Sequence, residues 1–442
     1  MAEIYPFRGI TFNRERTGPV DQVVTQPYDK ISPSMLEAYL RKNQYNIARI
    51  IASAPEGADL ERHFAGVAEE FNTWLNEGVL TRNKKPCLYP YFQTYRVPGS
   101  GAEYTRKSFI GLGKLYDYSR GVIKPHEQTH SGPKVDRLTL TRASGCQFGL
   151  LFMLYSDREG AVNALLEAAA AQGEPLFRVE DEYGVLHRLW QLEDYSKIQA
   201  IQRLMQGKSL YIADGHHRYE TALTYWREKA AEGVRVIPEE GIDRALMSFV
   251  SIQDRGLSVL PTHRVVFGLE NFSLPALLEE LKRDFEVLEA GPADVENLQG
   301  RLEALAGRGH SFVVAAKGEK RLTGLKLKDT VSPATRIPGA LSEVWKSLDV
   351  TLLHKLILEK RLGISAHDLE HQVHVSYLRD PAEALRMVLD PGSKFQAVFF
   401  LNPTSVEQVV AVADRSECMP QKSTDFYPKM LTGLVINKLN LQ

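Results

Sequence analysis

The chain has 442 residues, and its 54 Lys and Arg side chains nearly balance 55 Asp and Glu, for a net charge of −1. This length allows two or three domains or one large elaborated domain. The near-zero charge argues against broad binding to DNA or RNA, which requires a basic face. We expect a cytoplasmic protein, since no apolar run is long enough to span a bilayer and the first residues do not form a signal peptide. Three cysteines without CxxC spacing indicate neither a disulfide framework nor a structural zinc site.

In the first half of the chain, turn residues and periodic apolar positions predict a mixture of helices and strands. Outside one short helix, residues 1–55 are irregular, and residues 121–145 read as a polar loop. The predicted elements are helices at 34–42 and 60–75, strands at 88–95, 108–115 and 148–155, and helices at 163–171 and 195–205.

The second half continues the mixture, which predicts an α/β or α+β class. The most plausible boundary lies between Gly291 and Gly309, so we expect a first domain at 1–290 and a second at 291–442. The predicted elements are strands at 209–213, 245–252 and 395–401, a hairpin at 312–316 and 321–327, and helices at 216–232, 274–285, 350–362, 406–413 and 429–439.

The most informative motif is the end of the strand at 209–213, where Asp214 and Gly215 are followed by His216, His217 and Arg218. A strand that breaks at glycine and restarts as a helix directs free N–H groups, and the positive end of the helix dipole, at whatever lies beyond it. Such a terminus favours anions. A capped helix start without any ligand is the alternative, but the density of titratable groups favours a site for phosphate or another anion.

A second cluster begins with the pattern H-E-x-x-H at His126–His130, the signature of zinc proteases. That chemistry needs both histidines on one helical face, and the flanking Pro125 and Gly132-Pro133 argue against such a helix. Either the segment is a solvated polar loop or it belongs to a site, with Glu127 as a general base, alone or paired with His126. Its other candidate residues are Lys134, Asp136 and Arg137.

Two further groups are candidate anion contacts. Lys422, Ser423 and Thr424 resemble a short phosphate clamp, with Lys429 close behind; a capped turn before the predicted helix at 429–439 is the alternative. His263 and Arg264 are expected directly after a strand, where α/β folds place ligand contacts. The chain lacks a Walker loop, kinase motifs, a Rossmann fingerprint and an obvious nucleophile, which favours transfer of an anionic group such as phosphoryl.

Taken in order along nearly the whole chain, these motifs resemble those of the DUF1015 family. The elements that carry the resemblance are Pro27-Tyr-Asp29, His126-Glu127 with Gly132-Pro-Lys-Val-Asp-Arg137, Ala213-Asp-Gly-His-His-Arg-Tyr219, Pro261-Thr-His-Arg264 and Met419-Pro-Gln-Lys-Ser-Thr-Asp-Phe-Tyr-Pro-Lys429. The Asp-Gly-His-His-Arg element is similar to that of the wider ParB/sulfiredoxin-like group, which includes DNA partition proteins, sulfiredoxin and free-serine kinases.

This resemblance implies a ParB/sulfiredoxin-like core with large N- and C-terminal elaborations, in which Asp214 to Arg218 bind nucleotide phosphates or hold a metal near them. The serine kinases activate the substrate hydroxyl with an acidic residue, for which Glu127 and Asp29 are the candidates. No cysteine lies near the motif, which disfavours a redox role. Neither a helix-turn-helix motif nor an excess of basic residues stands out, which disfavours a role as a DNA partition protein.

We therefore expect phosphoryl transfer between a nucleotide and a small hydroxylated metabolite, with serine or phosphoserine first, using ATP or ADP and Mg²⁺. A phosphoserine phosphatase and a nucleotide-sensing regulator that binds DNA are the alternatives. Metal ligands and oligomeric state stay open. The expected catalytic residues are Asp214, His216, His217, Glu127 and Asp29. The expected phosphate or nucleotide contacts are Gly215, Arg218, His126, Lys134, Asp136, Arg137, His263, Arg264, Lys422, Ser423, Thr424 and Lys429.

Overall fold

The computed structural model describes residues 1–98, 101–127, 132–237, 241–296, 298–307 and 309–439. The strands are β1 Ile4–Tyr5, β2 Ile10–Phe12, β3 Leu80–Arg82, β4 Tyr89–Arg96, β5 Glu103–Lys114, β6 Ile123–Lys124, β7 Cys146–Gln147, β8 Leu151–Tyr155, β9 Phe177–Glu180, β10 Leu186–Leu189, β11 Leu210–Asp214, β12 Arg244–Ser251, β13 Ser258–Val259, β14 His263–Phe267, β15 Phe285–Pro292, β16 Ser311–Ala316, β17 Arg321–Leu327, β18 Val375–Leu378, β19 Phe395–Phe400, β20 Phe426–Tyr427 and β21 Asn437–Lys438.

The helices lie between these strands, so the fold is the mixed α/β one expected. They are α1 Arg14–Thr17, α2 Pro33–Lys42, α3 Ala48–Ile51, α4 Leu60–Asn76, α5 Gly132–Ser144, α6 Ala161–Ala170, α7 Tyr195–Met205, α8 His216–Ala231, α9 Leu274–Leu281, α10 Leu298–Ala306, α11 Pro333–Arg336, α12 Glu343–Lys346, α13 Asp349–Leu352, α14 Lys360–Leu362, α15 Ala366–His371, α16 Pro381–Leu389 and α17 Val406–Ala413. A π-helical stretch, Leu353–Glu359, joins α13 to α14. Among the described helices, none combines the length and apolar character of a membrane span.

Two sheets organise the described chain. The first has the strand order β6-β11-β8-β12-β5-β4-β10-β9, with β1 also paired on β5. Its centre is β12, which runs parallel to β8 and antiparallel to β5, from Arg244 opposite Lys114 to Val250 opposite Ser108. Every residue of β12 is buried, as expected of a strand covered on both faces. The second sheet has the order β15-β17-β16-β19-β14-β18.

The largest apolar cluster spans both sheets, and separate clusters pack on other parts of the first and second sheets. It includes Val250 of the first sheet, Phe399 of the second, and Phe64 and Phe71 of α4. Because the two sheets share this core, the cleft between them has fixed walls. The predicted division at residues 290 and 291 falls inside β15, and the separation into two domains stays a prediction.

Several predictions of secondary structure were wrong or incomplete. Residues 1–55, expected to be irregular outside one short helix, also contain β1, β2, α1 and α3. The polar loop expected at 121–145 contains helix α5, whose buried Leu140 joins the core; proline is tolerated in a first helical turn. The helix expected at 274–285 ends at Leu281, and Phe285 instead begins β15 opposite Leu327. The pair His263-Arg264 does not follow a strand but begins β14.

The helix predicted at 429–439 is an extended segment. Thr432 bridges to Thr25, Ile436 bridges to Ile10, and Asn437 begins β21 opposite Gln147. Residues 430–437 are buried throughout, so this segment has no exposed face of the kind that an amphipathic helix needs. Pairing with distant strands has overridden the local helical pattern.

The loop after β12 packs so closely on β5 that only glycine fits at residue 256. A Cβ there would lie 2.5 Å from the carbonyl carbon of Thr105, so we expect Gly256→Ala to lower the free energy of unfolding by roughly 1–3 kcal/mol. The matched variant Gly66→Ala adds a Cβ at an exposed position of helix α4 with nothing within 4 Å, and should raise the free energy of unfolding by about 0.5–1 kcal/mol. Urea unfolding of both variants checks this; equal effects would contradict the packing described.

Candidate functional site

A cleft of about 800 Å³ opens where the two sheets meet. It collects segments that are far apart in the sequence: the turn from β11 into α8, Glu127 after β6, the loop at 419–429 and the short turn at Tyr28–Lys30. The second sheet supplies the facing wall with Tyr377 and Arg379. This convergence makes the cleft the candidate functional site.

The floor of the cleft is the turn that joins β11 to α8. Gly215 adopts a left-handed conformation with φ of 94°, and a Cβ there would press on Arg218 Nε at 3.0 Å and Leu151 Cδ2 at 3.1 Å. Glycine therefore allows the strand to turn directly into the helix. The first N–H groups of α8 have no partner within the helix, so they can serve an anion in the cleft.

Asp214 is the centre of an ion network on this floor. Its Oδ2 accepts a hydrogen bond from Arg218 Nη2 at 2.5 Å, and its Oδ1 accepts one from Lys429 Nζ at 3.0 Å. Burial by itself would raise the pKa of Asp214, but Lys429, Arg218 and Lys30 together hold that pKa well below its usual range. Asp214 is therefore an ionised anchor for two cations, and both of its oxygens are occupied.

Lys429 ties this floor to the C-terminal loop. Besides Asp214, its Nζ lies 3.0 Å from Asp425 Oδ1, and Asp425 in turn pairs with Arg379 of the facing wall, whose Nη2 lies 2.9 Å from Asp425 Oδ1. Burial would lower the pKa of Lys429, but its two carboxylates raise it. The row Arg218–Asp214–Lys429–Asp425–Arg379 therefore alternates in charge across the cleft.

The backbone that carries Lys429 is held from beneath by the first sheet. The fully buried Arg106 donates to Gln93 Oε1 and to the carbonyl oxygens of Tyr427 and Pro428, at 3.1 and 2.5 Å. Gln93 Nε2 donates to the Lys429 carbonyl at 2.8 Å. A forked cation that binds several carbonyls restricts their movement, so the position of Lys429 is set by strands β4 and β5.

Glu127 lies at one end of the cleft among two histidines and a threonine. His216 Nε2 accepts a hydrogen bond from the His126 backbone N–H at 3.3 Å, which assigns the proton of a neutral His216 to Nδ1. That Nδ1 faces Glu127 Oε2 at 3.6 Å. Thr424 Oγ1 donates to Glu127 Oε1 at 3.3 Å and lies 2.9 Å from His126 Nε2.

Both histidines are neutral. Burial lowers the pKa of His216 well below its usual value, with neighbouring His126, His217 and Arg218 acting in the same direction. Burial likewise lowers the pKa of His126, against the opposing effect of Glu127. Glu127 therefore has no cationic imidazole beside it, and its side chain keeps 33% exposure to the cleft.

The loop at 419–424 presents Lys422 to the cleft in a left-handed conformation, with φ of 55°. Arg264, which is fully buried, donates to the carbonyl oxygens of Gln421 and Lys422 at 3.3 and 3.1 Å and to His354 Nε2 at 3.2 Å. Burial lowers the pKa of Arg264 to about 10. Arg264 thus positions this loop from behind and does not line the cleft.

The cleft brings together most of the residues predicted from the sequence. Those that line it are Asp29, Glu127, Asp136, Asp214, Gly215, His216, His217, Arg218, Lys422, Thr424 and Lys429. His126 lies directly behind this surface, fully buried. Their catalytic and binding roles stay predictions.

Other predicted residues serve the surrounding structure instead. Arg137 Nη1 donates to the Ile51 carbonyl at 2.6 Å, and its guanidinium lies 4.4 Å from the Tyr28 ring centroid. Lys134 pairs with Glu220 of α8. Ser423 donates within its own turn, to the Pro420 carbonyl. His263 is buried against Phe400, with ring centroids 5.1 Å apart.

The zinc-protease pattern finds no support among the described residues. His126 follows β6 in a non-helical segment, and His130 lies outside the described residues. Within the described ranges, no group of three His, Cys, Asp or Glu side chains is arranged to hold a metal ion.

Sequence reasoning missed Lys30, Asp425 and Arg379, which line the same cleft. Asp425 lies inside the C-terminal motif, and Lys30 directly follows Pro27-Tyr28-Asp29, so position within these motifs was the available signal. Arg379 carries no comparable signal, because it follows β18, a strand that sequence reasoning also missed.

Comparisons with known proteins identify the family. A family model described as protein of unknown function, DUF1015, matches residues 4–351, and the chain belongs to that family. None of the curated proteins matches it.

Several solved structures share a remote likeness. A free serine kinase variant in complex with AMP has 15% identity and a TM-score of 0.34, covering 69% of this chain and 84% of the other. A conserved hypothetical protein from Pyrococcus furiosus has 16% identity and a TM-score of 0.31, with 69% and 87% coverage. SbnI with C-terminal truncation from Staphylococcus aureus has 11% identity and a TM-score of 0.33, with 73% and 85% coverage. None of these values is high enough to transfer an activity.

Removing Lys429 should destabilise the protein, because Asp214 and Asp425 each lose an ion-pair partner. We expect Lys429→Met to lower the free energy of unfolding by about 2–3 kcal/mol, less than the full cost of an unpaired buried charge, since Asp214 is 22% exposed. Adding Asp214→Asn should restore part of the loss, as expected for coupled residues. Urea unfolding of both single variants and the double variant measures this coupling, and strictly additive effects would contradict it.

The buried neutral histidines should make the protein sensitive to mild acid. Burial, reinforced by Arg264, lowers the pKa of His263 to about 3, so below pH ~6.5 the unfolded chain binds a proton that the folded chain does not. Stability therefore falls with pH from about 6.5 downwards, by up to about 1.4 kcal/mol per pH unit for this residue. His263→Phe should reduce this slope by about 1 kcal/mol per unit between pH 6 and 5; an unchanged slope in urea unfolding would contradict the assignment.

Proposed function

We propose that this DUF1015 protein transfers a phosphoryl group between a nucleotide and a small hydroxylated metabolite. The observation that carries the proposal is the composition of the cleft: an anion-binding floor of helix N–H groups and cations lies beside Glu127, which neutral histidines surround. Phosphoryl transfer needs little covalent chemistry from the protein, but it needs positioning, charge neutralisation and a group that orients the acceptor.

The floor fits the donor phosphates. The start of α8, Arg218, Lys429 and Lys422 offer backbone and charged donors, which form the stronger hydrogen bonds to phosphate oxygens. Asp214 and Asp425 hold two of these cations in place before any ligand binds. Such preorganisation spares the site the cost of reorganising as charge develops on the transferring group.

Glu127 is the proposed general base. Thr424 and His216 contact its two oxygens from the protein side, which fixes the carboxylate while leaving a third of it exposed to the cleft. As the acceptor hydroxyl attacks phosphorus, its proton passes to Glu127 and the bond to the leaving phosphate breaks. Serine is the first acceptor to test, since the Asp214–Arg218 motif resembles that of free-serine kinases.

The residues of the cleft fit the nucleotide and Mg²⁺ implied by that resemblance. A volume of about 800 Å³ lies within the usual range for ligand pockets, roughly 300–1,000 Å³. Mg²⁺ at such sites is usually held by one or two carboxylates together with substrate phosphates, and it neutralises charge on the phosphates. Asp29 and Asp136 border the cleft, and either carboxylate could hold the ion.

The decisive assay incubates the purified protein with ATP or ADP, serine and Mg²⁺ and measures phosphoserine, then runs the reverse reaction from phosphoserine. We expect nucleotide-dependent exchange in both directions. Phosphate release from phosphoserine without nucleotide would instead indicate a hydrolase. Nucleotide binding without turnover, together with DNA binding at moderate salt, would indicate a regulator. If neither exchange nor hydrolysis occurs, the proposal fails.

Two variants distinguish the role of Glu127 from that of Asp29, the other candidate for the general base. Glu127→Gln keeps the shape but cannot accept the proton, so we expect kcat to fall by about 10²–10⁴-fold with little change in nucleotide affinity. Asp29→Asn should lose much less, and the surface variant Glu174→Gln should match the wild type. Initial rates and nucleotide titration measure both variants. A larger loss of kcat in Asp29→Asn than in Glu127→Gln would identify Asp29 as the general base.

A further inference from the structure

Lys30 enters the cleft from the N-terminal turn that also carries Asp29, and it has no role so far in the proposed reaction. It ends the single 3-10 turn Tyr28–Lys30 and lines the cleft together with Tyr28 and Asp29. Its electrostatic neighbours are Asp29, Asp214, Asp425 and Lys429, which places it at the Asp214–Lys429 end of the site.

The turn that presents Lys30 is firmly held. The Lys30 N–H donates to the Pro27 carbonyl at 2.8 Å, and just before the turn Thr25 exchanges two backbone hydrogen bonds with Thr432 at 3.1 and 2.8 Å. The Arg137 guanidinium lies 4.4 Å from the Tyr28 ring centroid while it binds the Ile51 carbonyl. These contacts hold the backbone of Lys30 in place. Arg137 contributes to them by packing on Tyr28.

The charge of Lys30 is less completely neutralised by carboxylates than the charge of Lys429. Lys429 contacts two carboxylates, whereas within the described ranges the Lys30 ammonium makes no hydrogen bond or ion pair. Burial lowers the pKa of Lys30 and nearby Lys429 adds to this, while Asp29, Asp214 and Asp425 oppose it. A half-buried ammonium without a hydrogen-bonded partner is costly, and a bound anion would remove that cost.

We propose that Lys30 binds the phosphoanhydride of the donor, on the side of the leaving phosphate. This inference rests on the proposed function of the cleft and adds a residue from the N-terminal segment to it. Lys30 lines the cleft within electrostatic reach of Lys429, Asp214 and Asp425. Glu127 instead lies beside His126 and His216. Lys30 therefore contacts the phosphate donor at one end of the cleft, and Glu127 contacts the acceptor hydroxyl at the other.

Inorganic pyrophosphate is the direct probe, because it carries the anhydride without a nucleoside. By titration calorimetry on the full-length protein, we expect Lys30→Met to weaken pyrophosphate binding at least tenfold and Lys30→Arg to keep part of the affinity. The control Lys84→Met removes an exposed lysine that does not line the cleft, and should bind like the wild type. Equal affinity of Lys30→Met and the wild type would overturn the proposal, as would the absence of pyrophosphate binding to the wild type.

Thermal denaturation distinguishes a binding role from a structural one. Lys30→Met should melt close to the wild type without ligand, because the burial cost and the repulsion by Lys429 that it removes offset the lost attraction of Asp29, Asp214 and Asp425. It should lose most of the stabilisation that pyrophosphate gives. A lower melting temperature with an unchanged pyrophosphate shift would overturn the proposal.

Kinetics separate this inference from the proposed function. If phosphoserine forms, Lys30→Met should raise the KM for the nucleotide and leave the KM for serine within twofold, and the opposite pattern would contradict a donor-side role. If no phosphoserine forms but pyrophosphate binding depends on Lys30, the proposed activity fails while the anion site stands.

Discussion

The cleft depends on one contact, the Lys429 ammonium held between Asp214 and Asp425. Lys429 and Asp214 are 215 residues apart in the chain, so their ion pair joins the end of a strand in the first sheet to the C-terminal loop. A buried ion pair adds little net stability, since desolvation offsets much of the attraction, but breaking one is costly. The contact therefore fixes the arrangement of the site more than it stabilises the fold, and Arg106 and Arg264 hold the same loop from behind by its carbonyl oxygens.

The site keeps Asp214 ionised and His126 and His216 neutral. Asp214 is stabilised as an anion by adjacent cations, whereas His126 and His216 are buried and lose their protons. The Arg218 and Lys429 cations of the floor are thereby held in place, and Glu127 has no imidazolium beside it. Electrostatic interactions are stronger in such a partly buried site than in water, so under the proposed function a few fixed charges would be enough to orient a phosphate.

The parts of the structure that follow from local pattern could be predicted from the sequence, and those that follow from distant pairing could not. Gly215 between an apolar run and a helical pattern indicated the β11–α8 turn, and helices such as Tyr195–Met205 and Val406–Ala413 occur where their periodicity placed them. The segment after Lys429 was wrongly predicted as a helix, because its partners, among them Thr25, lie hundreds of residues away. His263 and Arg264 were grouped with the site by their chemistry, although burial in β14 assigns them to its support. Lys30 was missed although it directly follows the Pro27-Tyr28-Asp29 motif, because the sequence does not show that its side chain faces the cleft.

The central claim is that the Asp214–Arg218 turn, Glu127 and the loop at 419–429 form a single phosphate site, and a crystal structure of the protein with ADP and Mg²⁺ tests it most directly. We expect the β-phosphate within hydrogen-bonding distance of the first N–H groups of α8 and of Lys429 or Lys422, with Glu127 facing the open side. Phosphates bound elsewhere on the molecule, or a nucleotide whose phosphates point away from the Asp214–Arg218 turn, would contradict it.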